Sequence, residues 1–395
     1  MYVIGVGIAL TLASMLRTDA PAPQPPREAY ESLVRAQDEA FRTLERLQQA
    51  YRTAAAEAEK AQIRALDPKP DEFAGRFLEL AKKAPGDPAA VDALVRIVTH
   101  TRRDGADVQE ALAILLRDHI TSEKLGPVCM RVGTPELRRI VERNPHRNVL
   151  APACFNLAVA LKRSSEGIVR ARMPDLYEDA RMIEQTAGKA ALERHIAEDA
   201  DALTGEAERL FERVIDQYGD LQHFARTFGE DARNELYELR HLAIGKPAPA
   251  IVGEDVEGEP LKLADFRGKV VVLTFWGTWC GPCMAMVPHE RELVARLRDR
   301  PFVLLGVNSD ADRDALRRVM AERGITWRSW WDGGSALGPI ASKYNVHGWP
   351  TTYVLDQQGV IRFKDGAGSR ADFVIKKVDE VVDRLLGGAG PSDEP

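Results

Sequence analysis

Two architectures in series are predicted, an all-α array of helical hairpins followed by an α/β domain with a mixed central sheet. Three observations carry this. Over residues 27–244 apolar side chains recur at helical spacing, broken by Pro combined with Gly or short polar residues. From Gly245 onward β-branched runs alternate with helical stretches. A Trp-Cys-Gly-Pro-Cys run ending at Cys283 stands where one such strand gives way to a helix.

In the first half, Leu44 and Leu47 lie in a long stretch free of Pro and Gly. Phe73, Phe77 and Leu80 then recur at helical spacing, as do Leu94, Ile97 and Val98. Breaks fall at 67–70, 85–88, 133–135 and 144–145, and further periodic segments follow at 206–218 and 230–242. Residues 206–220 resemble the second helix of a tetratricopeptide unit and its exit turn. A clean period of about 34 residues is missing, so hairpins are expected rather than a true repeat. Such an array offers a surface to a partner protein, and it equally serves as a spacer or dimerisation module. Cys129 and Cys154 lie here among apolar neighbours, where a cysteine behaves as a small buried hydrophobe. Export would permit a disulfide between them.

In the second half, residues 250–252 and 261–263 are expected to form a small hairpin. Residues 269–275 read as a strand covered on both faces, and a helix runs from the cysteines to Arg298. Residues 302–307 form another buried strand. The polar side chains of Asn308, Ser309 and Asp310 are placed to cap a helix over 312–323. Strands at 351–355 and 360–363, a hairpin turn between them and a helix over 371–386 complete the domain, and 387–395 reads as a flexible tail.

At the amino terminus residues 2–16 are almost all apolar until Arg17 and Asp19 end the run. That is too short for a comfortable span and has the length of a signal-peptide core, although no Lys or Arg precedes it. Residues 1–19 are therefore expected to direct export, cleaved or as an anchor, with 20–26 an Ala/Pro-rich spacer. The alternative is an apolar helix tucked onto the next domain. Across all 395 residues the formal net charge is -6, which supplies no electrostatic reason to expect nucleic acid. Four cysteines in so long a chain do not make a disulfide scaffold.

The chemistry concentrates at Cys280 and Cys283. A thiolate at the first turn of a helix meets unpaired backbone N–H groups and the positive helix end, which favour the ionised, nucleophilic form. Cys280 takes that place, is expected to be the more exposed thiol, and is the attacking group. Cys283, one turn on, is the resolving thiol. Gly281 and Pro282 set the tightness of the turn, Pro losing no helical bond there. Trp276 and Trp279 are expected to shield the pair and offer an apolar docking surface, or else to be packing aromatics. A metal site would need two more ligands than the sequence brings near, so no metal is assigned.

Residues 245–386 resemble the TlpA/ResA-like branch of the thioredoxin superfamily. The matching pieces are Gly-Lys-Pro-Ala-Pro at 245–249, the Leu-Ala-Asp-Phe-Arg-Gly-Lys run at 263–269, residues 275–283, and Gly-Trp-Pro-Thr-Thr-Tyr at 348–353. The resemblance implies a thioredoxin-like fold, an exported protein and disulfide-bearing client proteins. It also implies an upstream thiol electron donor and no cofactor. Cys280 maps to the attacking Cys, Cys283 to the resolving Cys and Pro350 to a cis Pro, with Trp349 and Thr351 beside it against the cysteines. Two departures stand out. Thr274 replaces the buried Asp of thioredoxins, and Met286 replaces a Glu found in several cytochrome-maturation members, which puts the specialised apocytochrome role in doubt. Glu290 and Asp310 are substitute acid–base candidates, expected chiefly as solvated surface groups.

The leading expectation is an extracytoplasmic thiol–disulfide oxidoreductase acting as a reductant. The alternatives are a helical interaction scaffold with a redox-sensing domain and a thiol peroxidase. A peroxidatic Cys needs Thr or Ser three residues before it, where Gly277 precedes Cys280.

Overall fold

The computed structural model describes residues 25–54, 60–61, 72–102, 104–174, 177–333, 338–365 and 371–387. The apolar segment 1–19, most of the spacer 20–26, the break at 67–70 and the tail beyond 387 lie outside them. The chain forms two compact units, 1–156 and 157–395.

The first unit is helical. Its elements are α1 (Pro26–Thr53), α2 (Phe73–Lys83), α3 (Pro88–His100), α4 (Ala106–Asp118), a 3-10 helix (Glu123–Met130) and α5 (Thr134–Arg143). It ends in the first part of α6 (Arg147–Ala171). Successive helices pack on one another, α1 on α2 and α3, α3 on α4, and α4 on α5. The expected breaks at 85–88, 133–135 and 144–145 each fall at a junction between helices. Asp87 caps α3 by accepting the Ala89 N–H at 2.8 Å, with Pro88 at the first helical position. Phe77, Leu94 and Ile97 are among the fully buried side chains.

The second unit takes in the rest of α6, then α7 (Asp179–Ala187), α8 (Lys189–Ala197) and α9 (Ala200–Tyr218). A short hairpin follows, β1 (Gln222–His223) with β2 (Arg226–Thr227), leading into α10 (Phe228–His241). Beyond it lie β3 (Val252–Glu254), β4 (Pro260–Lys262), β5 (Val270–Trp276), α11 (Gly281–Arg296), β6 (Phe302–Asn308) and α12 (Arg313–Arg323). The last elements are β7 (Ser329–Trp331), α13 (Pro339–Lys343), β8 (Thr351–Leu355), β9 (Ile361–Asp365) and α14 (Ala371–Leu385). The β1–β2 hairpin, β7 and α13 were not legible in the sequence.

The main sheet has the order β7-β6-β5-β8-β9. Pairings are parallel from β7 to β5 and antiparallel from β5 to β9, the mixed thioredoxin-like sheet that was expected. Every residue of β5 is buried, and its side chains alternate between two cores. Val270, Val272 and Trp276 face a cluster with α11 and α14, whereas Val271, Leu273 and Phe275 face one with Trp330, Tyr344 and Tyr353. Residues before Gly245 join these cores, Tyr177 in the first and Leu242 in the second.

One expected cap is corrected. The helix after β6 is capped by Asp312, whose carboxylate accepts the Asp314 and Ala315 N–H groups at 2.9 Å each. Asn308 and Asp310 turn instead toward the cysteine loop, as described next.

Candidate functional site

The site sits where β5 ends and α11 begins. Cys280 is the residue that caps α11, and its Sγ accepts the Cys283 N–H at 3.2 Å. That sulfur therefore meets a backbone donor at the positive end of a helix, the setting that favours a thiolate. Cys280 and Cys283 are joined as a disulfide with an S–S distance of 2.00 Å. Both cysteines are buried, Cys280 at 5% exposure and Cys283 at 3%, so Cys280 is the more exposed by a small margin. Both belong to the core cluster that holds Trp276 and Met286, with Trp349 packed against it.

The loop leading into the cysteines is held from across the sheet. Asp310 accepts the Thr278 N–H at 2.9 Å and the Thr278 hydroxyl at 2.5 Å, and Asn308 Nδ2 donates to the same carboxylate at 2.7 Å. Asp310 is 7% exposed, so it is a buried clamp and not the solvated group expected. Its partner Thr278 lies 32 residues away in sequence, which is why local reading missed the role.

The tryptophans divide. Trp276 is buried at the end of β5 and packs in the core behind the disulfide, so its expected part in an exposed docking surface is corrected. Its ring passes over Gly306, where a Cβ would come within 2.6 Å of the indole nitrogen. Trp279 is 54% exposed and meets Trp349 edge to face, with ring centroids 5.3 Å apart. It folds back over Gly277, where a Cβ would lie 2.7 Å from the ring. Gly281 and Pro282, at the opening of α11, are exposed, and a Cβ on Gly281 would meet nothing within 4 Å.

The Trp349–Pro350 peptide is cis, as the resemblance implies. Thr351 opens β8 opposite Phe275 of β5, and its hydroxyl donates to the Gly348 carbonyl at 2.8 Å. The edge-to-face contact of Trp279 with Trp349 thus brings the cysteine loop and the cis-Pro loop together.

The two departures read in the sequence leave neutral side chains in the core. Thr274 is 2% exposed and Met286 3%. One turn beyond Met286, Glu290 is 7% exposed, again buried where a surface group was expected. It continues the stripe of Cys283, Met286, Val287 and Leu293 that α11 turns into the core. Burial pushes its carboxyl up to about 8, so it stays largely protonated near neutrality. The helical stripe was legible in the sequence and would have placed this residue inside.

Among the described residues no group of three or more His, Cys, Asp or Glu is placed to hold a metal ion. His289 pairs with Asp379 at 3.3 Å.

Residues 244–364 match the model of the AhpC/TSA family. The "Thiol-disulfide oxidoreductase ResA" of Bacillus thuringiensis subsp. konkukian is 32% identical over 120 residues, covering 30% of this chain and 68% of that protein. The ResA of Geobacillus kaustophilus is 32% identical over 129 residues, 33% of this chain and 72% of its own length. Among solved structures, the thioredoxin domain of a thiol-disulfide oxidoreductase from Bacteroides vulgatus is 27% identical. It covers 35% of this chain and 98% of its own, with a TM-score of 0.32. A DsbF homologue from Corynebacterium diphtheriae is 30% identical over 34% of this chain and 87% of its own, with a TM-score of 0.30. The family match spans the strand, the cysteine turn and the helix in which the disulfide is built, and by its similarity to ResA the chain belongs to the ResA-like family of thiol-disulfide oxidoreductases.

Proposed function

We propose that this oxidoreductase works outside the cytoplasm as a reductant of client-protein disulfides. The observation that carries the reading is the Cys280 sulfur at the first turn of α11, accepting the Cys283 N–H at 3.2 Å while bonded to the Cys283 sulfur. In the reduced enzyme, the Cys280 thiolate attacks one sulfur of the client disulfide, and the other client sulfur leaves as a thiolate. The Cys283 thiolate then attacks Cys280 Sγ, releasing the second client thiol and restoring the disulfide. Two electrons pass to the client, and a dithiol donor supplies them again by the reverse exchange. Trp279, Trp349, Pro350 and Thr351 frame the approach, with Gly281 and Pro282 leaving the turn open to it. The apolar run at residues 2–16 supports export.

Titration in glutathione or dithiothreitol buffers, following both cysteines by mass-tagged alkylation, tests the direction of flow. A two-electron transition near or below roughly -250 mV fits a reductant. A potential near roughly -120 mV would make the protein a disulfide donor instead. Detection of the mature amino terminus in the envelope fraction tests the location, and an intact Met1 in the cytosol would refute it.

The match to the AhpC/TSA model favours a second reading, a thiol peroxidase. Gly277 stands where that chemistry needs Thr or Ser. Oxidation of reduced Cys280 by hydrogen peroxide no faster than a free thiol would remove it.

A further inference from the structure

The helical segment before Gly245 reaches the redox end of the sheet. Leu242 lies in the core beneath β5, and the next residues pair with β9. Gly245 N–H donates to the Ile361 carbonyl at 2.8 Å, and Ile361 N–H to Lys246 at 2.9 Å. Three residues further along β9, Lys364 is ion-paired to Glu238 of α10. Lys364 lies opposite Tyr353 and Asp365 opposite Thr352, so moving from Ile361 to Asp365 approaches the start of β8 and cis Pro350. Moving backward along α10 follows the same direction. Its next residues on that face, Glu235 and Asp231, lie within electrostatic reach of His347, as does Arg226 of β2. His347 belongs to the loop that carries Trp349 and Pro350. His223 and Arg226 of the β1–β2 hairpin pair with Asp231 at 2.6 and 3.7 Å, which holds the hairpin at the end of α10 nearest that loop.

At the tip of that hairpin Phe224 is 75% exposed and adopts a φ of 51°. Asn345 is the other non-glycine residue with positive φ among those described, and Asn tolerates that region where a bulky side chain is strained. The tip is nevertheless held in place. Gln222 Nε2 donates to the Phe224 carbonyl at 2.7 Å and the Arg226 carbonyl at 2.8 Å, and His223 stacks on Phe228 with centroids 4.3 Å apart. Phe224 meets the His223 ring with centroids 4.8 Å apart yet stays largely in solvent at a positive φ, an arrangement suited to a contact surface.

We infer that the hairpin tip, with Phe224 as its anchor, is a second docking element for the extended chain that flanks the reactive disulfide of a client protein, continuing the surface begun by Trp279 and Trp349. The inference rests on the oxidoreductase reading. The occupant is an extended segment of the client, because a chain lying along the surface meets both the buried Cys280 and the exposed hairpin tip. Aromatic anchors that become buried on binding commonly dominate such recognition. The helical segment then sets client preference, a role that the thiols themselves do not have.

The test compares Phe224→Gly with the wild-type protein in the reduction of insulin and of 5,5′-dithiobis(2-nitrobenzoate), a disulfide too small to span both elements. Glycine suits the positive φ, so the melting temperature should hold or rise. The expected result is a fall of about tenfold in the ratio of kcat/KM for insulin to that for the small disulfide, carried by KM. Phe224→Leu, which keeps apolar bulk, should recover most of that ratio. An unchanged ratio with wild-type rates on both substrates overturns the inference and leaves the oxidoreductase reading standing. A parallel fall on both substrates also overturns it, since the hairpin would then act on the thiols and not on the client. A wild-type protein that reduces neither substrate overturns the oxidoreductase reading, and this inference with it.

Discussion

Cys129 and Cys154 are as buried as Cys280 and Cys283, yet the two pairs differ in what surrounds the sulfur. Cys129 lies in the 3-10 helix, and its thiol donates to the Leu125 carbonyl at 3.4 Å and to that of Val149 at 3.8 Å. Carbonyl oxygens around a sulfur oppose negative charge, and burial pushes this thiol up to about 12. Cys280 has comparable burial, but its sulfur caps a helix and accepts an N–H. Burial holds Cys129 as an inert thiol, whereas at Cys280 the backbone N–H that meets the sulfur works against the cost of burial.

The largest expected effect is in labelling. With the protein reduced but native at about pH 7.5, Cys129 should be thiolate in only about one molecule in 10,000 or fewer. Iodoacetamide followed by mass spectrometry should therefore modify Cys280 and leave Cys129 unlabelled until denaturant is added. Comparable labelling rates for the two would break the comparison. Next in size, Cys280→Ser should lower insulin reduction by roughly 1,000-fold or more. The double change of Cys129→Ala and Cys154→Ala should leave turnover intact and cost about 1 kcal/mol of stability per site in urea melts.

Glu290 extends the comparison to a carboxyl on the redox helix. Its folded value of about 8 lies above the unfolded one, so the folded state holds the proton more tightly. The folded state carries no penalty at pH values below the unfolded pKa. Stability then falls as pH rises toward about 8, by at most about 1.4 kcal/mol per unit. Urea unfolding at pH 5 and pH 8 should show that decline, and Glu290→Gln should flatten it. An equal slope in both proteins would place the carboxyl in water. A further test concerns the clamp. Asp310→Ala removes the acceptor of two Thr278 bonds and should cost about 1–3 kcal/mol, slowing turnover of the small disulfide as the cysteine loop loosens. A stable variant with full activity would show that the loop holds its own shape.

Features that repeat along the chain were the legible ones. β5 declared itself by its run of β-branched residues, and α11 by beginning at the cysteine turn. Glu290 was equally legible, since it stands seven residues after Cys283 on a helix whose core stripe is plain. Reading it as a surface group followed residue type over position. Other features had no local signal. Strand β7 is 3 residues long and α13 is 5, too short for a period to show. Trp276 and Trp279 look alike in sequence, and only the end of β5 between them sends one ring into the core and the other into solvent.

Whereas the cis Pro350 was implied only by the family resemblance, the sequence by itself determined the helical first half, the mixed α/β second half and the cysteine turn at a helix start. Each depends on neighbours within a few residues, where backbone geometry and side-chain period act directly. Tertiary structure alone decided that Asp310 reaches back to Thr278, that Trp349 meets Trp279, and that Glu238 of α10 pairs with Lys364 of β9. Those pairings join residues far apart in the chain, and the free energy that selects them comes from closing the whole sheet and its two cores.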